Sequence, residues 1–248
     1  MALRYKYKQP LILFLCAFVS LWFIGSSCKN HNHPDKKIFH YNESSGLASL
    51  DPAFAKNKQV MWSTHQLYNT LIEIDSNMQM QPSLATHWNI SEDNLVFTFI
   101  LRNDVFFTDD ACFTNGKGRK LTAHDVEYSF KRIIDKSTAS PGAWIFNNRV
   151  DSVNGFTAIN DTTFQLKLIS PFQSILGILS MQYCSIIPKE AVEKYKTDFR
   201  RHPVGSGPFS FVAWEEGQAL ILKKNKNYFE KDAEGRSLPY LDGIKVSF

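Results

Sequence analysis

The sequence has few cysteines, no apolar run long enough to span a membrane and, beyond its first residues, almost no net charge. Four cysteines occur in 248 residues: Cys16, Cys28, Cys112 and Cys184. That number builds no disulfide framework, and a chain of this length buries a core without one. The longest apolar stretch, residues 11–24, is interrupted only by Ser20 and covers 14 positions. A membrane-spanning helix needs roughly 20. The formal charge of +4 also misleads, because three of the 28 basic residues (Arg4, Lys6 and Lys8) stand in the first nine positions. Residues 28–248 carry 25 basic against 24 acidic side chains. No basic patch remains that would follow a phosphate backbone, which excludes nucleic acid as a partner.

Enzyme signatures are missing as well. There is no phosphate-binding glycine loop, and no Ser-x-x-Lys motif followed by its usual partners. Gly205-Ser206-Gly207 lacks the G-x-S-x-G spacing of a nucleophile elbow. His87 and His124 stand alone, and Asp109-Asp110 reads as a pair of solvated loop acids. With no nucleophile–base pair, the chain reads as a non-enzyme that needs no cofactor or metal.

What is present begins with an address. A basic start, an apolar stretch and then Gly25-Ser26-Ser27-Cys28 make residues 1–27 a lipoprotein signal peptide. Cys28 is the expected lipid attachment site, since small residues beside the cut suit the processing peptidase. Gly25 departs from the branched residue usual three places before the cysteine, with Ile24 one place early. An uncleaved N-terminal anchor is the alternative, and it leaves the compartment unchanged: periplasmic or on the outer face of a membrane. Residues 28–37 are polar and aperiodic, a flexible tether. His31 and His33 within it suggest a metal site only superficially, because such a stretch supplies no second shell to hold imidazoles. The compartment permits a Cys112–Cys184 disulfide, but nothing in the sequence requires one.

From Ile38 onward strands and helices mix, giving an α+β class with a mixed sheet. Strands are expected at 38–42, 71–74, 86–90, 95–102, 150–159, 163–168, 209–214, 219–224 and 243–248. Helices are expected at 58–71, 122–135, 174–179 and 189–195, the second opened by Thr122-Ala123-His124-Asp125 as a capping box. Thr98 is the only polar residue from Leu95 to Leu101, which predicts a strand buried on both faces. Aromatic residues are abundant, with 20 Phe, 9 Tyr and 5 Trp, and most fall in strands. Trp144 and Phe146 instead follow Ser140-Pro141-Gly142 in an aperiodic segment. Such residues either wall a ligand cleft or seal the end of the preceding helix.

Seven pieces in register identify a relationship. They are Ser49-Leu50-Asp51-Pro52, Leu71–Asp75, Pro82–Trp88, Thr98–Arg102 with Val105-Phe106-Phe107, Leu121–Val126 with Ser129–Arg132, Gly205–Phe209, and Asn225 with Asn227-Tyr228-Phe229. Their succession resembles the family 5 bacterial extracellular solute-binding proteins, the peptide and nickel receptors of ABC importers. The chain departs from the pattern at Asp109-Asp110, followed by an insertion-like Ala111–Arg119, and at Gly-Ser-Gly-Pro in place of Gly-Thr-Gly-Pro. The resemblance implies a type II-like, two-lobed periplasmic binding protein, of which residues 38–248 are the first lobe. Family members are about twice as long, so the resemblance implies that the second lobe is absent from these residues. It also implies a peptide ligand, permease and ATPase partners, and a membrane reached only through the lipid. In the family, the segment before Leu-Asp-Pro offers backbone hydrogen bonds to an extended peptide, and it maps onto Ser44, Ser45, Gly46 and Leu47. Trp144 and Phe146 fall where the family's first lobe borders the cleft, and Gly205–Pro208 reads as a structural turn. A surface lipoprotein without transport, or a receptor for another solute such as nickel, is the alternative.

Overall fold

A computed structural model describes residues 36–151 and 153–248. The signal peptide, Cys28, His31 and His33 lie outside the described residues. Strand β1 (Ile38–Asn42) comes first and helix α1 (Lys58–Leu67) follows. The Asn57 side chain starts the helix by accepting the Val60 N–H at 3.0 Å. The expected extension to Leu71 does not occur, because Tyr68 is already extended. The Leu67 carbonyl, one of the orphan acceptors of a helix end, takes the Gly207 N–H at 3.0 Å instead. That approach explains two glycines: a Cβ on Gly205 would lie 2.1 Å from the Leu67 oxygen, and one on Gly207 2.5 Å from its carbon. The chain then forms a small hairpin, β2 (Ile72–Ile74) and β3 (Met80–Pro82), around Asp75, whose carboxylate accepts the Asn77 and Gln79 N–H groups.

Next come β4 (Ala85–Ile90) and β5 (Val96–Leu101). Phe97, Phe99 and Leu101 are buried on one face of β5, but Val96, Thr98 and Ile100 on the other are only half-buried. Two-sided burial is thus corrected: the Thr98 hydroxyl accepts from Gln165 on the outer face, where a polar pair keeps contact with water. Helix α2 (Ala123–Ile134) opens as its capping residues require, Asp125 accepting the Thr122 N–H at 2.9 Å. Strands β6 (Phe156–Asn160) and β7 (Thr163–Lys167) complete an antiparallel sheet of order β4-β5-β7-β6. The first of these was expected from Val150. It starts later because the Asp151 carboxylate takes the Val153 and Asn154 N–H groups, withdrawing them from the ladder.

Short helices α3 (Ile175–Leu179) and α4 (Lys189–Tyr195) lead to β8 (Phe209–Glu215), β9 (Ala219–Lys224) and β10 (Gly243–Ser247). Strand β10 lies antiparallel to β9 and parallel to β1, so the second sheet runs β1-β10-β9-β8. Its first and last strands by sequence are therefore neighbours, and everything between β1 and β8 is an excursion from this sheet. Cys112 and Cys184 are both free thiols. Burial pushes both pKa values up, Cys112 to about 12 with help from Asp110, so neither is a ready thiolate.

Two charge clusters pin the excursion. Arg119, in the insertion-like segment, makes two hydrogen bonds to Asp125 and two to Glu190, all between 2.6 and 2.8 Å. Arg132 holds Asp51 in a bidentate pair at 2.9 and 2.6 Å, with both side chains largely buried. Asp51 also accepts the Ala53 N–H and so caps the short helical turn Pro52–Phe54. Removing one partner of such a pair strands the other charge, at a cost of about 3–5 kcal/mol. Asp51→Ala is expected to lose that much in urea unfolding, and Asp51→Leu with Arg132→Met to recover most of it. Asp51→Ala unfolding like the parent would contradict this.

Candidate functional site

The residues after β1 leave the sheet beside the first turn of α1. The Glu43 N–H still bonds the Ser247 carbonyl at 2.9 Å, the last link to β10. The Glu43 carboxylate then accepts from Tyr41, Gln59 and the Ser44 N–H, at 3.2, 3.4 and 3.0 Å. Ser44, Ser45 and Gly46 are exposed, whereas Leu47 is buried in the core. The main chains of Ser45 and Gly46 make no hydrogen bond to any described residue. Gly46 has an ordinary negative φ and nothing within 4 Å of where its Cβ would stand. Neither a turn nor packing among the described residues demands glycine there.

Trp144 and Phe146 part company. Trp144 is 47% exposed and borders a depression with Asn147, Arg149 and Phe172, whose walls include none of residues 44–47. Phe146 is buried, its ring 5.1 Å from that of Phe130 and 4.9 Å from that of Phe156. Placing it on a cleft wall is corrected: it seals the α2 core, since a ring packed among two other phenylalanines reaches no solvent. Gly205–Pro208 is structural as expected, with the Ser206 hydroxyl donating to Asn69 and the Asn225 amide to the Gly207 carbonyl.

Sequence reasoning missed a cavity of about 530 Å³ between β1, α1 and residues 228–241. Phe39, Trp62, Tyr228 and Tyr240 are among its walls, together with Glu73 and Glu230. Trp62, His65 and Gln66 reach it from one side of α1 and Asn69 from just past its end, and the Tyr41 ring stacks on Trp62 at 5.1 Å. The signal was that helical spacing, on the side opposite the buried Val60, Thr64 and Leu67. Burial raises the Glu230 pKa, and the nearby Glu73 charge adds to it against the Tyr228 hydrogen bond and Arg102. Burial and the Glu230 charge likewise raise that of Tyr228.

A family model described as bacterial extracellular solute-binding proteins, family 5 Middle, matches residues 79–248. The glutathione-binding protein GsiB of Salmonella typhimurium LT2 is 26% identical over 200 residues, 81% of this chain and 36% of that protein. Among solved structures, the periplasmic binding protein DppA of Helicobacter pylori in complex with peptide STSA superposes with a TM-score of 0.73 at 29% identity. It matches 86% of this chain and 43% of its own. OppA of Listeria monocytogenes bound to peptide shares the fold, with a TM-score of 0.75 at 21% identity over 86% of this chain and 42% of that one. The chain thus spans about a third of the curated relatives it matches and somewhat over 40% of these structures. All three are binding proteins, and the fold is part of a two-lobed periplasmic binding protein.

The raised Glu230 pKa has a consequence for stability. A carboxyl whose folded-state pKa exceeds its ordinary value near 4.5 stabilises the fold below that value and loses the contribution as pH rises through the folded pKa. Glu230→Gln is therefore expected to raise the melting temperature at pH 7, with the gain shrinking as pH falls toward 4. A gain that is absent at pH 7, or that grows on acidification, would contradict the burial assigned to this carboxylate.

Proposed function

The chain belongs to the bacterial extracellular solute-binding proteins, family 5, and from that membership we propose that it captures short peptides for an ABC importer from a lipid anchor at Cys28. The observation that carries the reading is the exposed main chain of Ser45 and Gly46, continuing β1 past its last hydrogen bond to β10. Such a segment presents N–H and C=O groups to an extended peptide in the manner of strand addition. The two named peptide complexes and the glutathione-binding relative all hold peptide-like ligands. Gly46 supports the reading because no side chain obstructs a second backbone there.

Each sequence element has a part in this proposal. Leu47 and the Asp51–Arg132 pair hold the downstream end of the segment, and the bonds of Glu43 hold the upstream end. Ser44 orients the segment rather than meeting ligand through its N–H, which Glu43 already occupies. Trp144 is proposed to border the cleft from a separate surface. A second lobe would close over the peptide by hinge motion, and binding would change no covalent bond of the cargo. The signal at 1–27 would export the chain. The tether at 28–37 would then keep the lobe near a permease driven by cytoplasmic ATPases, raising its local concentration.

Uptake of labelled tri- to pentapeptides tests the proposal in cells with and without the gene. Deletion is expected to lower uptake and the parent gene to restore it. Ser45→Pro removes the N–H offered to a ligand and is expected to restore little, at about tenfold lower peptide affinity or worse. Cys28→Ala should abolish incorporation of labelled fatty acid and release the protein from membranes. Peptide uptake indifferent to the deletion would overturn the function, and fatty-acid labelling that persists in Cys28→Ala would overturn the anchor.

A further inference from the structure

The cavity between β1, α1 and residues 228–241 has a chemistry that backbone recognition of a peptide does not use. Its aromatic members are Phe39, Trp62, Phe209, Tyr228 and Tyr240, and no Lys or Arg among the described residues lines it. Glu73 and Glu230 are its acidic residues, with His65 the only other ionisable group among the described residues apart from the two tyrosines. Glu73 accepts a hydrogen bond from Ser83 at 2.9 Å. Arg102 is the cation near Glu230, but it is engaged by Asp104 through two hydrogen bonds of 2.9 and 2.8 Å and lies over the Phe229 ring. His65 is held by Gln182 at 2.8 Å. The result is an apolar cavity with two acidic residues in its wall and no Lys or Arg among the described residues that line it.

The chamber selects among positive ligands. A hard divalent cation takes six or more oxygen donors, and the described residues hold no group of three or more His, Cys, Asp or Glu side chains placed for a metal. An ammonium on an apolar body fits better: its charge meets the carboxylates, and its body lies against rings whose faces attract cations. The volume of about 530 Å³ is that of a small-molecule site. We propose that this cavity is a binding site for an organic ammonium ion, with the nitrogen directed to Glu73 and Glu230 and the apolar body held by Phe39, Trp62 and Tyr240. The proposal stands on the cavity alone and does not depend on peptide transport. A bound cation also offsets the repulsion from Glu73, which adds to burial in raising the Glu230 pKa.

Phenethylammonium and its neutral counterpart 2-phenylethanol serve as probes, titrated calorimetrically and by tryptophan fluorescence. The ammonium is expected to bind at least about tenfold more tightly than the alcohol, a difference of ~1.4 kcal/mol. Glu73→Gln with Glu230→Gln should abolish that preference while leaving the weaker alcohol binding unchanged. Circular dichroism checks that the variant is folded, and the single Glu230→Gln variant, expected to be stabilised, provides a second reading. Equal binding of the two probes, or a preference that survives in the folded double variant, would overturn the proposal. Phe-Ala amide and its N-acetylated form identify the source of the ammonium. Loss of binding on acetylation shows that a peptide amino group enters, whereas binding of phenethylammonium but of neither peptide restricts the site to free amines.

Discussion

The Asp51–Arg132 pair is the contact on which the arrangement of this chain turns. It joins the segment leaving β1 to the third turn of α2, across 81 positions of sequence, with both charges largely out of water. The pair is not isolated. Asp51 caps the turn at 52–54, the Ser49 hydroxyl accepts the Asp51 N–H, and the Tyr68 hydroxyl donates to the Leu50 carbonyl. The Arg132 guanidinium lies over the Phe199 ring at 5.5 Å. A buried ion pair with its remaining capacity satisfied adds little net stability but penalises every arrangement in which either partner is alone. Here it fixes where residues 44–47 emerge, which is where ligand recognition is proposed.

Much of this was legible in the sequence, for identifiable reasons. The capping residues Thr122 and Asp125 act over a few residues, and the fold obeys them. Errors arose where a distant partner decided the outcome. Helix α1 stops at Leu67 because Gly207, 140 positions later, takes its carbonyl. Phe146 is a core residue because Phe130 and Phe156 meet it from two other elements. The cavity was illegible for the same reason: Glu73 and Glu230 are separated by 157 positions and mean nothing apart. The short strand β3 was missed because Met80-Gln81-Pro82 is exposed and ends in proline, against the usual strand signals.

The motifs behind the family resemblance acquire physical meaning in the structure. Leu-Asp-Pro supplies one half of the buried ion pair, and Ser-Phe-Lys-Arg supplies the other. Gly-Ser-Gly-Pro lets a loop press on the end of α1, and Asn225 then clamps that loop through the Gly207 carbonyl. These motifs build the scaffold, and some of their residues also reach the surfaces proposed for ligand. Residues 44–46 precede the first motif, whereas the aromatic cavity combines Phe39, Trp62 and Tyr240 from outside the motifs with Glu73, Phe209 and Tyr228 from within them.

The central claim is that the main chain at Ser45 and Gly46 receives the ligand. Amide hydrogen exchange, followed residue by residue with and without a saturating mixture of short peptides, tests it most directly. The account predicts that exchange at Ser45 and Gly46 slows by about tenfold or more on peptide binding, as expected for amides drawn into a new hydrogen-bonded strand. The Ser44 amide, already bonded to Glu43, should change little. Peptide binding that leaves Ser45 and Gly46 exchanging freely, with protection confined to other surfaces, would contradict it.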